Sequence, residues 1–160
     1  MSLQTLNSLL WNQRQLLETL LFKLEEEQLL LTSGRSRWLP RATTEVEAVV
    51  EQLREAELAR AIESSSVCTE LGIDPDAPLS EVAANAPTQW QDILAGHRVA
   101  LIQLTSEIGQ VSSSNRELLS SSQRAIAETL SHLEATTATY TEQGTATSVE
   151  TNPRLFDQNL

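Results

Sequence analysis

Leu3, Leu10, Leu17, Leu24 and Leu31 stand seven residues apart, and Leu6 and Leu20 fill the alternate three-four spacing. Gln13 and Glu27 occupy the same seam and interrupt it, while Leu9, Leu16 and Leu30 widen the stripe. A half-buried strand would alternate with period two. A seven-residue repeat predicts an amphipathic helix over about 3–31, with the seam of a coiled coil or helical bundle. Thr32-Ser33-Gly34 predicts its end, because glycine accepts the left-handed conformation that closes helices. Pro40 lacks a backbone donor, which suits the first turn of a new helix. That second helix is predicted over about 41–71, with a stripe of Leu39, Val46, Val49, Val50, Leu53, Ala56, Ala61, Val67 and Leu71. Gly72 closes it.

Residues 72–87 contain one Asp-Pro and two Ala-Pro pairs. Each proline biases the preceding residue to extended or turn backbone, so this stretch reads as a linker. Ser80 is a candidate cap for one short helix over 81–84. From Thr88 a new pattern begins. Trp90, Leu94, His97, Leu101, Leu104, Ile108, Val111, Asn115 and Leu118 follow a strict alternation of four and three. The register then shifts, and Leu119, Ile126, Leu130, Leu133 and Tyr140 carry the apolar face onward. A third helix is therefore predicted over about 88–140. Gly109 costs about 1 kcal/mol against alanine inside a helix, and continuity through it stays open. Residues 141–160 lose the periodicity and gain Thr, Gln, Gly and Asn, which predicts a disordered tail. The expected fold is all-α: a long, antiparallel, coiled-coil-like three-helix bundle or hairpin over 1–140, followed by that tail.

Composition narrows the function. The 160-residue chain carries a formal charge of −11 and only 4% aromatic residues, so aliphatic helix packing dominates. Nucleic acid is not expected as a partner, because a basic face is lacking. The basic cluster of Arg35, Arg37 and Arg41 around Trp38 is short and sits at a helix junction, where it reads as solvation of a connection. Residues 61–97 hold six acids and no Lys or Arg, which reads as a solvated surface. Asp74-Pro75-Asp76 lacks the glycine and the terminal glutamate of a calcium loop. Glu25, Glu26 and Glu27 read as another solvated face. Cys68 is alone, so no internal disulfide is expected. The start of the chain has no basic segment and no cleavage site of small residues, as a signal peptide would, and no stretch is long and apolar enough for a membrane span. A cytoplasmic location is expected.

Catalytic and cofactor chemistry finds no foothold. His97 and His132 with one cysteine do not make a zinc site of ordinary spacing, and no metal or cofactor is expected. His97 falls on the apolar seam and reads as a satisfied interior histidine. Ser112-Ser113-Ser114 and Ser120-Ser121-Ser122 have no histidine close in sequence and read as smooth surface for helix approach. No phosphate loop or nucleophile elbow occurs, so an enzyme is not expected. Asn115 has two readings: a buried residue that fixes register, or an exposed one where the seam shifts. Trp11, Trp38 and Trp90 lie near helix starts or junctions and read as plugs of the bundle ends.

The order of these features resembles a known family. The segment LLETLLFKLEEEQLLLTSG is followed by RWLPRATTEVEAVVEQLREAELAR, then by LGI with an acidic, proline-rich linker. A third helix contains NRELL at 115–119 and leads to a Tyr-x-x-x-Gly ending at Tyr140 and Gly144. In this order and spacing, residues from about 5 to 144 resemble the FlgN family of flagellar export chaperones. The resemblance implies hook-associated proteins as export clients, bound by their C-terminal helical segments. It also implies export-gate or export-ATPase components as further partners. It points to client recognition by the third helix: Asn115, Leu118, Leu119, Ile126, Leu130, Leu133 and Tyr140. The residues alone leave a second reading open, a structural coiled-coil protein that self-associates through its heptads into a homo-oligomer.

Overall fold

A computed structural model of the chain describes residues 2–143, with side chains described as far as residue 133. Among these residues there are four α-helices: α1 (Leu3–Thr32), α2 (Leu39–Leu71), α3 (Leu79–Asn85) and α4 (Thr88–Gln143). A single 3-10 turn over Ser36–Trp38 joins α1 to α2. The all-α class follows the sequence reading. The fold divides into two units, Met1–Leu119 and Ser120–Leu160.

Local chemistry sets the helix ends. The Ser2 hydroxyl caps α1 by accepting from the Thr5 N–H at 3.2 Å. At the other end Gly34 takes φ +68°, and the Arg35 N–H donates back to the Leu30 carbonyl at 3.1 Å. α2 closes in the same way. Gly72 sits at φ +73°, Gly72 donates to Thr69, and Ile73 donates to Cys68 at 3.0 Å. These reciprocal bonds satisfy carbonyls that a helix end leaves open. α2 begins at Leu39, with Pro40 in its first turn. α3 spans Leu79–Asn85 with Pro78 at its cap position and no side-chain cap. Ser80, the expected cap, lies inside its first turn instead. α4 is continuous through Gly109 and ends at Gln143, inside the stretch expected to be tail. The remainder of that stretch, 144–160, lies outside the described residues.

Within Met1–Leu119 the pairing of side chains gives the helix directions. Ser2 meets Glu63, Lys23 meets Glu45 and Glu27 meets Thr43, so α1 and α2 are antiparallel. Asn7 meets His97, Gln28 meets Ser114 and the Leu24 carbonyl meets Asn115, so α1 and α4 run in the same direction. The arrangement is up, down, up, as the short connections allow.

Two apolar clusters hold this unit. In the first, Leu6 and Leu10 from α1 join Val67 and Cys68 from α2, Val82, Ala83 and Ala86 at α3, and Leu94 from α4. In the second, Leu20 and Leu24 pack on Val49, with Leu53, Ile108 and Val111 around them. The α4 seam is as its alternation predicts: Leu94, His97 and Asn115 are buried and the other six positions half-buried. The α2 stripe departs at its centre. Ala61 is exposed, whereas Glu63 is buried and accepts from the Ser2 N–H at 2.8 Å. The linker contributes more core than its prolines suggest, since Val82 is fully buried. Burial lifts the Cys68 thiol above its ordinary pKa, which leaves it protonated and unreactive.

Candidate functional site

The interior of the first unit carries polar groups at defined places. His97 is 1% exposed. Its Nε2 lies 2.8 Å from Asn7 Oδ1, and its Nδ1 faces Arg14 Nη1 at 3.4 Å. The neutral ring with a proton on Nε2 satisfies both partners: it donates to Asn7 and accepts from Arg14. Trp11 meets the ring edge-on at 5.1 Å, and the Arg14 guanidinium lies 4.2 Å over the Trp11 ring. This is the satisfied interior histidine that the seam position implied. Burial first, and then the Arg14 charge, hold the His97 pKa below its ordinary 6.5.

That depression has a consequence for stability. The unfolded chain takes up the His97 proton more readily than the folded one, so this contribution is intact above about pH 6.5. It is lost as pH falls from there through the folded pKa. Compared by urea unfolding at matched pH, wild type is expected to lose more stability than His97→Gln between about pH 7 and pH 5. Parallel pH profiles for the two proteins would contradict this assignment.

Asn115 is 4% exposed. Its Nδ2 donates to the Leu24 carbonyl at 2.9 Å and to Glu27 Oε1 at 3.2 Å. Glu27 also accepts from the Thr43 hydroxyl at 3.2 Å, so one carboxylate ties α1 to both α2 and α4. Glu27 is therefore part of the packing, in contrast to the solvated face expected of it; Glu25 is exposed as expected. The buried, register-fixing reading of Asn115 is the one the geometry supports. Its side-chain amide nitrogen is engaged inside the bundle.

The other residues named for client recognition fall differently. Leu118 is half-buried in the seam, and Leu119 is 40% exposed. In the second unit Ile126, Leu130 and Leu133 are 48%, 42% and 59% exposed. Their spacing of four and three puts them on one face of α4. The Tyr140 side chain lies outside the described ones. The sequence reading missed a different feature of the first unit, an open groove of about 410 Å³ with Arg60 and Arg98 among its walls. The one signal for it was that these two arginines bracket the acidic block.

Among the described residues no three His, Cys, Asp or Glu side chains are grouped to hold a metal, and no helix is long and apolar enough to cross a membrane. The model of the family described as FlgN protein matches residues 1–148.

The chain belongs to the FlgN family.

Membership assigns a flagellar export chaperone in general terms, within a family of chaperones and not of enzymes. Comparison with curated proteins and with solved structures returned no match.

Proposed function

We propose that this FlgN-family chain binds the C-terminal helical segment of hook-associated proteins, keeps it from assembling early and delivers it to the export apparatus in the cytoplasm. The observation that carries the reading is the exposed apolar face of α4 formed by Ile126, Leu130 and Leu133. Exposed leucines at helical spacing suit helix-in-groove recognition, in which an amphipathic client helix lays its apolar face on that of the chaperone. A client helix covered in this way cannot form coiled coils with its own kind. Asn115 supports the site indirectly by fixing α4 against α1.

The test is binding of a purified hook-associated C-terminal segment to wild type and to Leu130→Asp with Leu133→Asp. Both positions are exposed, so the variant is expected to stay helical by circular dichroism. Two carboxylates in an apolar contact lose the burial of two leucines and add desolvation. The expected loss is about hundredfold in affinity or more, equal to about 2.7 kcal/mol. Unchanged affinity in the folded variant rejects this face as the client site.

A further inference from the structure

We propose that the groove of the first unit is a second client contact, which takes an aliphatic helix turn carrying an aspartate or glutamate. This rests on the export-chaperone reading above and adds to it the chemistry of the client segment. The groove lies between the two apolar clusters, bordered by Leu79 and Leu101 from the edge of the first and by Leu53 from the edge of the second. Leu17, Leu53, Leu101 and Ile102 give it aliphatic walls, and Ile102 is 54% exposed. Its volume of about 410 Å³ is within the range of sites that enclose side chains of a bound partner.

Charge identifies the occupant. Arg60 and Arg98 line the groove from α2 and α4, and Glu57 is the one acid among the lining residues, so the charged walls are basic in balance. They are the last basic residue before and the first after the stretch 61–97, which has six acids and no Lys or Arg. The up-down-up course brings these two together. Neither belongs to the ion pairs among the described residues, which join Lys23 to Glu26 and Glu45, Arg41 to Glu45, and Arg54 to Glu51. A second, independent observation comes from the groove lining. Arg60 Nε and Gln13 Oε1 are buried without a hydrogen-bond partner among the described residues. Buried donors and acceptors left unmade are costly, and a guanidinium that turns toward an incoming carboxylate replaces an unmade bond with two charge-assisted ones. Gln13 offers an acceptor to a donor on the same segment. A partner helix with a leucine-type face and one acid set toward the two arginines and away from Glu57 meets the aliphatic walls and both guanidinium groups, and it would complete the three long helices to four.

The experiment is calorimetric titration of a hook-associated C-terminal segment into the full chain at low and moderate salt. The variants are Arg60→Ala with Arg98→Ala, Arg98→Ala alone, and Leu130→Asp with Leu133→Asp. The double arginine variant is expected to bind about tenfold more weakly at low salt and to lose most of the salt dependence seen in wild type. Arg98→Ala alone is expected to lose about threefold, and its exposed side chain makes it the deciding variant if the double one unfolds. Wild-type affinity and salt dependence in the folded arginine variants, with binding lost in the leucine variant, overturn the groove and leave the chaperone reading standing. A segment that does not bind wild type at all overturns both.

Discussion

Asn115→Asp is expected to destabilise the first unit by about 3 kcal/mol or more at pH 7, the cost of an uncompensated charge in a buried place. The asparagine is 4% exposed and its Nδ2 is the donor to the Leu24 carbonyl and to Glu27. Aspartate at this position has no donor when ionised. It would set one carboxylate against another and against a carbonyl oxygen, with α1 and α4 holding them close. Both effects raise its pKa, so acid should restore a donor and with it part of the stability. Urea unfolding of the variant and wild type at pH 7 and at about pH 5 checks this, since the gap between them should narrow in acid. A gap that stays the same would mean that the site admits enough water to solvate the charge. Asn115→Leu makes the contrast. It also removes the donor to the Leu24 carbonyl and to Glu27 but adds no charge, so it should cost about 1–3 kcal/mol, with no recovery in acid.

Leu94→Ala should cost about 3 kcal/mol, within the range for a leucine removed from a packed core. Leu94 is fully buried in the cluster that draws on all four helices, so no single helix can slide to fill the space. A domain of this size is stable by roughly 5–15 kcal/mol, which makes the loss a large share of the total. Leu101→Ala serves as a control, because its half-buried side chain lines the groove and already borders open space. It should cost about half as much. Chemical denaturation with unchanged slope is the measurement. Equal losses at the two positions would mean that Leu101, at the edge of the first cluster, is packed as tightly as Leu94 in its interior.

The seam of α4 was legible in the sequence because it is long and strictly spaced. From Trp90 to Leu118 each predicted inward position is buried or half-buried. The first helix was legible for the same reason, and so were its glycine terminus and that of α2. α3 was only partly legible. Its buried Val82, Ala83 and Ala86 are too few to show a period, and the flanking prolines spoke for a linker. Ala61 misled because the α2 stripe passes a place where the bundle opens into the groove, and Arg60 takes the half-buried position there. Seam position alone marked Asn115 and Glu27, but their partners depend on which helices meet. The groove depends on two arginines 38 positions apart in the chain, and no local pattern announces such a pair.

The parallel course of α1 and α4 also orders the assembly of the protein. Contacts between these helices join residues 83 to 91 positions apart, whereas the α1–α2 turn contains only a few residues. Closing a loop tenfold longer costs about 2 kcal/mol more in chain entropy, so α4 gains little by meeting α1 while both are loose. Once α1 and α2 have zipped together, the end of α2 stands beside the start of α1, and α4 has only the short stretch around α3 left to close. The hairpin thereby turns a distant encounter into a near one. On the ribosome this sequence comes without delay, because both members of the hairpin are made before the first residue of α4.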